Sequence, residues 1–107
     1  MALAAPQLLN KAGVTPAYNT PLATENVPTT TPLIVHVKNA NAAICTVTIV
    51  DPGVTPGGSS PVSPTVAVPA TTGDKLILVP TPFISGGTVQ LLFSIQASVT
   101  AGLFLTS

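Results

Sequence analysis

The sequence predicts an all-β fold: a small antiparallel β-sandwich or barrel, jelly-roll or tulip-like, with an extended Pro-rich N-terminal arm. Three observations predict it. After Pro32, apolar and polar residues alternate at period two. Strand-like runs recur about every 8–12 residues between turn residues. No stretch repeats apolar residues at the spacing of an amphipathic helix.

The arm comes first. Residues 1–32 hold Pro6, Pro16, Pro21, Pro28 and Pro32. Proline lacks a backbone donor and restricts φ, so a long helix or a central strand is excluded there. One short edge strand is expected around Val14–Tyr18. The sandwich domain then runs from 33 to 107. Leu33–Lys38 is its first strand, with Leu33, Val35 and Val37 on one face and Ile34, His36 and Lys38 on the other. Asn39–Asn41 is a turn signal. Ala43–Val50 is the next strand, with Ala43, Cys45, Val47 and Ile49 inward, and the two are expected to pair as a hairpin. Asp51–Pro64 contains four prolines and three glycines and reads as a loop. Strands follow at Thr65–Val68 and Lys75–Val79. A Pro/Gly connection holding Phe83 and Ile84 comes next. The chain closes on a predicted hairpin with inward residues Val89, Leu91, Phe93 and Ile95, then Val99, Ala101, Leu103 and Leu105.

Only six of the 107 residues are charged: Lys11, Glu25, Lys38, Asp51, Asp74 and Lys75. Three lysines cannot neutralise a nucleic-acid backbone, so no nucleic-acid partner is expected. No apolar run approaches the roughly 20 residues of a spanning helix, and no membrane partner is expected. The start, Met1–Pro6, lacks the basic region and apolar core of a signal peptide. A single cysteine excludes an internal disulfide framework. A chain that is 46% hydrophobic with zero net charge is prone to associate. Its surface is therefore expected to be covered in an assembly.

Chemical motifs are sparse. The three carboxylates fall in predicted turns or the arm, where solvation explains them. His36 and Cys45 are too few ligands for a metal site. The alternation also sets them apart, with Cys45 in the core and His36 on an outer face. Pro56-Gly-Gly-Ser-Ser60 lacks the Lys-Ser/Thr end and the following helix of a phosphate loop. The reading is of a protein that is not an enzyme and takes no cofactor or metal. The conspicuous residues are apolar ones placed where water should be. Leu3, Leu8, Leu9 and Tyr18 lie in the arm, Phe83 and Ile84 in a loop, and Leu92 and Phe104 on outward strand positions. They are the predicted interface.

The order of pieces carries a resemblance. Asn10-Lys-Ala-Gly-Val-Thr-Pro16 is followed by Leu33-Ile-Val-His-Val-Lys-Asn39 and Thr46-Val-Thr-Ile-Val50. Then come a Pro/Gly loop, Val66-Ala-Val-Pro-Ala70 with Gly73-Asp-Lys75, and the closing Val89–Leu105 segment. The chain resembles head decoration, or cement, proteins of tailed bacteriophages, especially those of actinobacteria. The resemblance implies a structural virion protein, made in the host bacterial cytoplasm and bound to the outer capsid surface. It implies the major capsid protein as partner and a homotrimer at local three-fold positions. A head–tail connector, tail or fibre component, or a free β-sandwich binding module, are the alternatives. An arm that reaches a neighbour implies that deleting Ala2–Asn10 leaves the sandwich folded and weakens shell binding.

Overall fold

The computed structural model describes residues 2–53, 56–58 and 62–105. Eight strands follow in chain order: β1 (Gln7–Leu8), β2 (Thr24–Pro28), β3 (Leu33–Asn39), β4 (Cys45–Ile49), β5 (Thr65–Val68), β6 (Gly73–Val79), β7 (Thr88–Phe93) and β8 (Val99–Leu105). They form two four-stranded sheets. Sheet A runs β1-β8-β3-β6 and sheet B runs β2-β7-β4-β5. This is the strand order of a jelly roll, two Greek keys folded face to face. The all-β sandwich is as the sequence predicts. One departure is β1, which pairs with β8 in parallel instead of antiparallel.

The core is the pair of inner faces that the alternation marks. Leu33, Val35 and Val37 are wholly buried, as are Cys45, Val47, Leu91, Val99 and Ala101. β-branched residues suit this setting because their restricted χ1 packs well on a pleated surface. Ala43, expected to face inward, is exposed because β4 begins two residues later.

Neither expected hairpin forms. β3 pairs with β6 and β8 in sheet A, and β4 pairs with β5 and β7 in sheet B. Likewise β7 lies in sheet B and β8 in sheet A. Asn39 shows why the chain crosses instead of turning back. Its side-chain Nδ2 donates to the carbonyls of Ala43, Val68 and Pro69, tying the β3–β4 and β5–β6 crossings into one corner. Among the described residues, the only consecutive strands that pair are β4 and β5, joined by the loop read from the sequence. The Pro56–Ser60 segment lies partly outside the described residues.

Residues 2–32 lie along the sandwich. No strand forms at Val14–Tyr18; the edge strand is Thr24–Pro28, which pairs with β7 along its whole length. Leu3 is buried in the core, at 4% exposure. After β1, an Asx turn at Asn10 reverses the chain, and Asn19 pairs antiparallel with Ala101. The Gln7 side chain joins the two limbs: its Nε2 donates to the Thr15 carbonyl and its Oε1 accepts from the Ala17 N–H, both at 2.9 Å. Residues 7–19 thus form a strap on the free edge of β8.

Glu25, expected in solvent, is fully buried on the inward side of β2. Its Oε2 accepts from the backbone nitrogens of Leu22 at 2.6 Å and Ala2 at 3.3 Å. Its Oε1 has no partner among the described residues.

Candidate interaction surface

The outer face of sheet A carries a concentrated side-chain network. Ile34, His36 and Lys38 alternate outward along β3. Strand register sets His36 opposite Leu76 of β6 and Gly102 of β8, and Lys38 opposite Asp74. Gly102 leaves a gap in this face, and Tyr18 of the strap fills it. A Cβ at 102 would lie 3.0 Å from the Tyr18 ring and from the Ala17 carbonyl oxygen.

Tyr18 is held on every side. Its hydroxyl is 2.8 Å from His36 Nδ1, and its ring meets His36 and Phe104 edge to face. Lys38 Nζ sits 4.3 Å above the ring centroid, a cation–π contact. His36 Nε2 in turn bonds Asp74 Oδ1. With Nε2–H donated to Asp74, Nδ1 is left to accept the Tyr18 O–H, so the carboxylate orients the ring that holds the tyrosine. The arrangement fastens the strap. The Tyr18 hydroxyl is committed to His36, and its ring lies between Phe104 and Lys38. Removing that hydroxyl by Tyr18→Phe is expected to lower stability by about 1 kcal/mol, the net worth of one hydrogen bond. Urea unfolding would check it; an unchanged midpoint would mean the bond contributes nothing.

Beyond the network, β6 is the open edge of sheet A. Its inward residues Ile77 and Val79 are buried, while Leu76 and Leu78 are 71% and 64% exposed. At the opposite edge, Leu8 and Leu9 of the strap are 53% and 43% exposed. The outer face of sheet B is different: Thr24, Leu92, Thr48 and Thr65 stand in one row, uncharged and mostly polar. At one end of sheet A an open depression of about 380 Å³ is lined by Lys38, Thr71, Asp74, Ser98 and Thr100 among others. Thr71 and Ser98 both have left-handed backbone there, at φ 68° and 59°. Asn41 holds that end together: its carbonyl accepts from Thr71 N–H, and its Nδ2 donates to the Ala97 carbonyl.

The predicted interface residues scatter. Leu8 and Leu9 are exposed. Leu3 is not available at the surface, because it belongs to the core. Phe104 does face outward from β8 but is buried at 7% exposure, because Tyr18 covers it. Tyr18 itself is half-buried by the contacts above. Phe83 and Ile84 are half-buried against the core, and Leu92 is half-buried between the Thr24 and Thr48 positions. Exposed apolar residues missed from the sequence include Leu22, Ile44 and Val62 and, side by side on β6, Leu76 and Leu78. Their signal was present: with Ile77 and Val79 inward, period two sends both leucines outward. The network was missed because it is built across the chain, from residues 18, 36, 38 and 74. Among the described residues, no three or more His, Cys, Asp or Glu side chains gather as a metal group. No protein-family model, curated protein or solved structure matches the chain.

Proposed function

We propose that this chain is a structural virion protein that binds the outside of an assembled bacteriophage capsid and ties capsomers together, as a trimer at local three-fold positions. The observation that supports this reading is the exposed pair Leu76 and Leu78 on an open edge strand, in a chain with only six charges. An exposed apolar pair on an unpaired edge is a place for protein contact. A second apolar pair, Leu8 and Leu9, lies at the other edge of the same sheet. Two different patches at opposite edges suit head-to-tail contacts, which close into a ring when the rotation permits. A jelly roll serves viral capsid and lectin domains alike, so the surface, not the fold, carries the functional argument. Many copies on one shell would add up weak single contacts.

Two measurements test the reading. Quantitative mass spectrometry of purified particles is expected to give one copy per major capsid subunit, or a simple fraction of it. The double variant Leu76→Asp/Leu78→Asp is expected to keep its fold, since both side chains are exposed, and to lose at least about tenfold in shell affinity. A handful of copies per particle would favour a connector or tail component. Absence from particles would leave a free binding module.

A further inference from the structure

Natural β-sheets guard their edges with short strands, proline or cover, because an unpaired strand is a template for another chain. Three of the four sheet edges here are guarded. β1 has two residues and follows Pro6, β2 ends on Pro28, and β5 has four residues between Pro64 and Pro69. The fourth, β6, has seven residues and no proline, and among the described residues no strand pairs with its free edge. Leu76 and Leu78 stand exposed on it. In a chain of zero net charge such an edge needs cover in the free protein, and a surface always at hand is another copy of the chain.

We propose that the free protein closes this edge on a second copy, with the two β6 strands pairing antiparallel about Ile77. In such a two-fold pair, opposed residues share a face, so the axis passes through one residue of the strand. The sequence of β6 selects which one. About Lys75, two lysines would face each other, and like charges directly opposed are unfavourable. About Leu76, the Asp74 side chain would face Leu78 of the second copy. About Asp74 or Leu78, only residues 73–75 or 77–79 would overlap. About Ile77, Leu76 faces Leu78 of the second copy, and Lys75 faces its Val79. Asp74 then falls outside the pairing and keeps its bond to His36. The leucines of both copies cover one another on the outer face. The pairing also ends growth. It uses the β6 edge of both copies and leaves only guarded edges, so it closes as a dimer and not as a fibre. Residues 75–79 are fewer than the roughly 20–30 a side of a lasting interface, so the dimer comes apart on dilution. It competes at this edge with the head-to-tail contact, so the free dimer opens before a ring forms.

The test is read on the free protein without shells, so this proposal and the functional one fail separately. Sedimentation is expected to show a reversible monomer–dimer equilibrium that is lost in Leu76→Asp/Leu78→Asp. For the register, Leu76→Cys and Leu78→Cys chains, one of them isotope-labelled, are mixed and oxidised. Directly opposed residues lie about 4.5–5.5 Å apart, within reach of a disulfide, whereas like positions would sit diagonally at about 7–8 Å. The mixed disulfide is expected to exceed the half share of random pairing, and either chain alone to cross-link poorly. Cys45 is buried, and the wild type controls for it. Hydrogen exchange needs no variant: the amides of residues 75–79 are expected to gain protection as wild-type concentration rises. A wild-type chain that stays monomeric at millimolar concentration overturns the proposal. So do like-position disulfides formed as readily as the mixed one, a trimer as the first oligomer, or exchange on β6 that ignores concentration. If the cysteine variants do not fold, wild-type sedimentation and exchange decide.

Discussion

Gly73→Ala is expected to destabilise the protein by about 3 kcal/mol or more, at the upper end of the cost of forcing extra volume into a packed site. A Cβ at 73 would stand 1.9 Å from the Pro69 carbonyl oxygen, 2.8 Å from Val68 Cγ1 and 2.9 Å from the Pro69 carbonyl carbon. The obstacle is mainly backbone, which cannot swing aside as a long side chain can. It is also backbone in use: the Pro69 and Val68 carbonyls accept from Asn39 Nδ2, and Gly73 is paired with Asn39 at the start of β6. Moving Pro69 therefore loosens the corner where the chain changes sheets. Gly57→Ala is the control, since nothing lies within 4 Å of its Cβ position. Urea unfolding of both would decide. Similar midpoints for the two would show that the corner yields at little cost.

Deleting Ala2–Asn10 is expected to cost at least about 3 kcal/mol and to make the protein self-associate. The sequence expectation was a sandwich that stays folded without this segment; the buried Leu3 adds a loss of stability to that expectation. The deletion removes Leu3 from the core, and a buried leucine lost to a cavity costs about 2–5 kcal/mol. It also removes β1 and the Leu9 N–H bond to the Leu105 carbonyl, exposing the backbone of β8. An uncovered edge strand is a template for pairing with another chain. Chemical denaturation would read the first effect, and size-exclusion chromatography over a concentration range the second. A deleted chain with an unchanged midpoint that elutes as a monomer would show that the strap is only laid on the surface.

Much of the sandwich was legible because period-two patterning reports which side chains face inward. Val99–Leu105 coincides with β8, Thr65–Val68 with β5, and the inward sets of β3, β7 and β8 are buried largely as the alternation requires. Pairing was not legible, because alternation is the same whether a strand turns back or crosses to the other sheet. Asn39 reads as a turn residue in either case. Only its three carbonyl partners, two of them about 30 positions away, distinguish a crossing. β2 escaped because it contains Glu25 and ends on Pro28, and both argue against a strand. Its place at the edge of sheet B accommodates the proline. The surface was half legible. Leu8 and Leu9 are exposed as expected of the arm, whereas Phe104 was counted as free because nothing local shows that Tyr18, 86 positions earlier, lies on it.

The place of β8 has a consequence in time. It comes after the other seven described strands in the chain, yet it lies inside sheet A, between β1 and β3. Gln7 meets Phe104, so the sheet joins positions far apart in the chain. Such long-separation pairing closes slowly, since the loop entropy is lost before the contacts are gained. Until β8 is made, β1 has no partner strand and one edge of β3 stays unpaired. A chain stopped short of residue 99 lacks the strand that joins β1 to the rest of sheet A. Folding of sheet A therefore depends on translation through β8: only then can β1 and β3 be joined in one sheet.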